Sequence, residues 1–170
     1  ADDLRNTLRA EVFRYFPAQA PSLAPEWSEE SVVQGRKIRR VSFTTSEGLP
    51  AGATYSLPAG DQASERLPAI LLVDHRKGIP VWGNEQPLER NQWADRAVLT
   101  VETLDRGSRA LEQNLRSFTD DDLLHHMKRQ AMVAGTTLES MQVYELLRSL
   151  ELLGSLPEVD AGRITILGHG

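Results

Sequence analysis

The sequence predicts an α/β domain with a mostly parallel sheet preceded by an antiparallel hairpin. Pro68–Val73 and Ala97–Val101 are apolar without alternation, as strands covered on both faces are. Arg36–Leu57 alternates instead, with a Ser46-Glu47-Gly48 turn in its middle, as a hairpin does. Segments of helical character separate the apolar strands, the order that yields right-handed crossovers. The 170 residues carry 19 basic and 24 acidic side chains, a net charge of −5, with 40% hydrophobic residues. That suits one globular domain with a sizeable core. A mild acidic excess offers no attraction to phosphate backbones or anionic lipid, and no apolar run is long enough to span a bilayer, so neither a nucleic-acid nor a membrane partner is expected. The absence of cysteine removes disulfides, thiolate metal sites and cysteine nucleophiles.

The elements follow in order. Leu4, Leu8, Val12 and Phe13 recur on one helical face, predicting a helix over Asp2–Phe16 that Pro17 stops. Pro21, Pro25 and the acidic stretch from Glu26 to Glu30 read as an irregular, solvated connector. Strands are expected at Arg36–Thr45 and Ala51–Leu57, then buried central strands at Pro68–Val73 and Ala97–Val101, with helix content over Glu85–Arg96 between them. Thr119 is placed to cap a helix over Asp120–Ala134, whose three leading aspartates suit the positive helix end better than a metal. Gly135 interrupts, and Thr136-Thr137-Leu138-Glu139 has the Thr-x-x-Glu reciprocal cap of a new helix. Val143, Leu146, Leu147, Leu150 and Leu153 form its apolar stripe, and Gly154 stands as its left-handed terminator. Pro157–Gly162 reads as a turn, and Arg163–Leu167 as a short last strand entering Gly168-His169-Gly170.

From Arg36 to Gly170 this order resembles the α/β-hydrolase superfamily, within it the acetyl xylan esterase and prolyl-oligopeptidase-like branch. The likeness is sharpest in Gly135-Thr136-Thr137-Leu138, the helix after it, and Val159-Asp160-Ala161-Gly162-Arg163-Ile164; Asp105-Arg106-Gly107 is similar to that branch's Arg-Gly loop. The resemblance implies an α/β-hydrolase sheet, incomplete in this chain. It divides the sequence into an N-terminal helix and linker (1–30) and the N-terminal half of a hydrolase-like domain (31–170). It also implies a Gly-x-Ser-x-Gly nucleophile elbow. Gly168 and His169 fill the first two elbow positions, but the nucleophile position is Gly170, which has no side-chain oxygen. The acid and histidine that follow the nucleophile in that family are not in the sequence either. A backbone N–H near His75 or Arg76 matches the family's second oxyanion donor.

The expectation is a carboxylic-ester hydrolase-like domain, degenerate at the nucleophile and inactive as this chain, needing no cofactor and no metal. Its substrates, if active, would be small esters. The alternatives are a noncatalytic binding or scaffold module on the same fold and, behind it, a nucleotide-binding domain suggested by Gly168-His169-Gly170 after a strand. His125 and His126 point to different helix faces, Ser108 has no assignable base, and Trp27, Trp82 and Trp93 are scattered, so none of these forms a site. In the resembled fold the nucleophile strand is interior, so the remainder of the same gene product is expected to complete the sheet. The Ala1-Asp2-Asp3 start has no signal peptide and reads as a processed or excised terminus; the compartment is unknown, with a secreted or periplasmic setting favoured.

Overall fold

The computed structural model describes residues 2–13, 16, 17, 19–46, 49–60, 66–74, 93–104 and 120–169. Along the chain lie α1 (Asp2–Thr7) with a π-helical turn (Leu8–Val12), β1 (Glu26–Trp27), β2 (Ser31–Val33), β3 (Arg36–Ser46) and β4 (Leu49–Pro58). They are followed by β5 (Leu67–Asp74), β6 (Ala97–Glu102), α2 (Asp120–Val133), α3 (Leu138–Ser155) and β7 (Val159–His169). The strands form one mixed sheet in the order β1-β3-β4-β6-β5-β7, with β2 also paired to β3. β3 and β4 make the expected antiparallel hairpin. β5 is parallel to both β6 and β7 and lies between them, as its unbroken apolar run predicts.

Both faces of the central strands are covered. Ala69, Leu71, Leu99 and Val101 join Leu152 and Leu153 of α3 in the larger core. Ile70, Leu72 and Val98 point the other way, against Trp93. Each fully buried leucine, such as Leu71 or Leu99, contributes roughly 1.5–3 kcal/mol of transfer free energy. The expected crossover helix over Glu85–Arg96 falls mostly outside the described residues. Its last part is a turn in which Arg96 N–H donates to the Trp93 carbonyl (3.1 Å). Thr119, expected to cap α2, also lies outside them, while α2 itself stands where its pattern placed it.

Several sequence expectations need correction. The N-terminal helix does not reach Phe16: α1 widens at Leu8 into a π turn that Phe13 closes by donating to the Leu8 carbonyl (2.9 Å). The connector is not wholly irregular, since Glu26–Trp27 and Ser31–Val33 pair with β3. Gln34 (φ 51°) and Gly35 (φ 76°) turn β2 into β3, the positive-φ backbone that two-residue hairpin turns require. The cap of α3 is Thr137, whose side chain accepts from Ser140 N–H (3.0 Å). With Thr137 as the cap, Glu139 falls one position short of the place for a reciprocal bond, and its carboxylate pairs with Lys128 of α2 at 2.9 Å. That contact lowers the Glu139 pKa from its ordinary value.

Gly154 does not terminate α3. It lies inside the helix, with ordinary helical backbone, where an added Cβ would make only ordinary contacts with Ile164 and Ala161 of β7 at 3.7 and 3.9 Å. The left-handed glycine is Gly135 (φ 77°), after α2. The predicted Pro157–Gly162 turn is shorter, because β7 already begins at Val159. Between the pairs Leu67–Val159 and Ala69–Ile164 the two strands slip out of step. There Asp160 accepts from Gly162 N–H (3.0 Å) and from Arg163 Nε (2.6 Å), while Arg163 Nη2 donates to the Arg66 carbonyl (2.9 Å). The Arg163 guanidinium and the Gly162 amide hold the Asp160 carboxyl below its usual range.

Arg36 locks the amino-terminal edge of the sheet at β6. Its buried guanidinium donates to Ser56 Oγ (2.6 Å) and O (3.2 Å), to the Trp93 carbonyl (2.9 Å) and to the Arg96 carbonyl (2.7 Å). Burial draws its pKa below the ordinary arginine value. One side chain thereby satisfies backbone acceptors on β4 and at the entry to β6. Arg36→Met strands those acceptors and is expected to cost about 2–4 kcal/mol, read as a lower urea midpoint with unchanged slope. Arg36→Lys, which cannot span all of them, should fall between.

Candidate functional site

The three parallel strands end level. Val73 of β5 is in register with Val101 of β6 on one side and Gly168 of β7 on the other, and Asp74 is in register with His169. Loops leaving such strand tips converge, which makes this edge the place where open α/β sheets bind ligands. Gly168 and His169 belong to the extended backbone of β7 rather than to a turn. At Gly168 an added Cβ would meet nothing within 4 Å. Gly170 and the proposed oxyanion residues His75 and Arg76 lie outside the described residues, as do Asp105-Arg106-Gly107 and Ser108. His125 and His126 are exposed on α2, where a His126 ring nitrogen lies 3.4 Å from Gln130 Nε2.

Of the predicted apolar stripe on the helix facing this edge, Leu153 is buried and Leu146 and Leu150 pack against the core, but Leu147 does not. Leu147 is 45% exposed, whereas Glu145, Arg148 and Ser149 are buried together with Tyr144, Leu152 and Leu153. Each of these buried polar groups has specific bonds. Glu145 Oε2 accepts from Leu104 N–H (2.7 Å), and Ser149 Oγ donates to the Glu145 carbonyl (2.7 Å). Arg148 donates to Glu151 and to the Pro21 carbonyl, so it ties the N-terminal segment to the helix. The Phe16 and Tyr144 rings, 5.1 Å apart, reinforce that tie. Gln142 Nε2 donates to the Leu104 carbonyl (2.9 Å). Sequence reasoning missed Gln142 and Glu145 because their partner is main chain, which leaves no residue-type signature.

Comparison with known proteins is informative at the level of three dimensions only. No protein-family model matches the sequence, and no curated protein matches it. Among solved structures, a putative acetyl xylan esterase from Bacteroides fragilis superposes over 99% of this chain with a TM-score of 0.76 at 18% identity. The fold is that of the α/β hydrolases. Acetyl xylan esterases from a Thermoanaerobacterium species (TM-score 0.64, 19% identity, 98% of this chain) and from Paenibacillus sp. R4 (0.62, 20%, 98%) share it. The chain covers 46%, 49% and 50% of these three proteins, so it spans about half the length of each.

On the hydrolase fold, the Gly168 position gives a simple measurement. With open space around it and extended backbone, Gly168→Ala should be accommodated in this chain. It is expected to leave stability unchanged or to raise it by up to about 1 kcal/mol through the unfolded state, visible as an equal or higher thermal midpoint. A marked drop would mean that the tip of β7 needs glycine.

Proposed function

We propose that this chain forms part of an acyl-ester site on a carboxylic-ester hydrolase-like domain, with Gly170 at the nucleophile position. The observation that carries this reading is the level carboxyl edge, with Val101, Val73 and Gly168 side by side on a fold shared with acetyl xylan esterases. Serine esterases attack the carbonyl with a side-chain oxygen held above such an edge. Glycine has none, so the chain itself is inactive, and a noncatalytic binding or scaffold module is the second reading that this same glycine favours. The ligand class is a small acyl ester of a sugar, taken without a cofactor. A backbone N–H near His75 or Arg76 would meet its carbonyl oxygen.

The proposal includes the remainder of the same gene product as the partner that completes the sheet. Among the described residues β7 pairs with β5 alone, and Ile166 and Leu167 near its tip are 59% and 40% exposed. An apolar strand with an unpaired edge is a template for a further strand.

Three measurements test the reading. Turnover of p-nitrophenyl acetate should equal buffer and heat-denatured controls; turnover clearly above them would show a working nucleophile and remove the degenerate-site reading. Amide shifts at Val101 and Gly168 on adding an acetylated xylo-oligosaccharide, without turnover, would favour the binding module. In hydrogen exchange on the isolated chain, alternate amides within Ile164–Leu167, those facing away from β5, should exchange freely. Strong protection of all four in a monomer would contradict the open edge.

A further inference from the structure

Leu104 lies two residues past the end of β6, whose last antiparallel pair joins Gly52 to Glu102. No strand ladder reaches it, yet both of its backbone groups are bonded. Its N–H donates to Glu145 Oε2 (2.7 Å), and its carbonyl accepts from Gln142 Nε2 (2.9 Å). These side chains stand three residues apart on α3 and so share one face. Glu145 is only 4% exposed, and Thr103, next to the anchored residue, is 2% exposed.

A buried carboxylate is a costly way to cover area, since an apolar side chain of similar volume does so without desolvating a charge. What a carboxylate adds is direction: it accepts from an N–H only along a narrow range of angles, and the bond is strengthened by the charge. Gln142 supplies the complementary donor. The pair therefore imitates an adjoining strand at a residue where none exists.

We propose that Gln142 and Glu145 are positioning residues that fix where, and in which direction, the chain leaves β6 at the candidate site. This rests on reading the carboxyl edge of β5, β6 and β7 as that site. The functional consequence is that the approach to Asp105-Arg106-Gly107 starts from a point set by α3, the helix that also leads into β7. The exit from β6 and the entry to β7 thus share one helix as their reference.

The test is amide exchange in the isotopically labelled chain, with Val101, inside the β6 ladder, as internal reference. Leu104 N–H should be protected although it lies beyond the ladder. Glu145→Ala should speed its exchange by about tenfold or more with Val101 unchanged, while Glu145→Gln, which keeps an acceptor oxygen, should restore most of the protection. An unprotected Leu104 amide in the parent chain, or Glu145→Gln as fast as Glu145→Ala, would overturn the proposal. If Glu145→Ala fails to fold, Gln142→Ala serves. It removes only the donor to the carbonyl and should shift the Leu104 carbonyl carbon resonance while leaving that of Val101 in place; an unmoved resonance would count against the anchor. Turnover of p-nitrophenyl acetate clearly above the controls would defeat the degenerate-site reading and leave every Leu104 result intact.

Discussion

The central constraint is that β5 and β6 are parallel neighbours buried on both faces. Parallel strands cannot be joined by a tight turn, so the chain must leave at the carboxyl end of one strand, cross a face of the sheet and re-enter at the amino end of the next. Among the described residues α2 and α3 belong to such an excursion, from β6 to β7, and α3 is its returning arm. The need to cover Leu71 and Leu99 on one face and Leu72 and Val98 on the other creates the crossovers. The crossovers in turn bring the exits of three strands to one edge.

The lower half of α3 meets this demand with apolar packing through Leu152 and Leu153, and its upper half meets it with bonded polar groups. That division follows the geometry. Near the sheet's centre the helix faces side chains, where apolar contact suffices. Near the carboxyl edge it faces main chain that has left the ladder, whose N–H and C=O groups must find partners. Gln142, Glu145 and Arg148 supply them, to Leu104 on one side and to Pro21 on the other. Orienting the helix for those bonds is also what turns Leu147 outward.

The elements most legible in the sequence were those whose physics is local. Unbroken apolar runs marked β5 and β6, alternation marked β3 and β4, and capping chemistry located the start of α3 to within a residue. What went unread depended on partners distant in sequence. Glu139 looked like half of a capping box, but the cap is Thr137 and the carboxylate pairs with Lys128. Gly154 looked like a terminator, but the helix runs on past it to Ser155. Leu147 was counted in the apolar stripe of α3 because buried polar residues count as outward-facing until their backbone partners are known. β2 is the exception: Val32-Val33-Gln34-Gly35 before an alternating strand carried a local hairpin signal that the acidic surroundings obscured. At the site, the parallel central strands were legible in the same apolar runs, whereas their order and level tips came only with the structure and Gly170 was legible only as a residue type.

The irregular stretch at the root of β7 governs more than its own turn. Val159 and Ile164 are five positions apart and so would lie on opposite sides of an unbroken strand, yet both pack toward α3, because β5 spends only two positions over the same interval. Asp160, with its bonds to Gly162 and Arg163, therefore works as a phase setter. Loss or gain of a single residue there would exchange the two sides of the strand all the way to Gly168, handing to one face of the cleft the side chains now presented to the other. The parity of a short kink at the amino edge thus dictates which atoms the distant edge can offer.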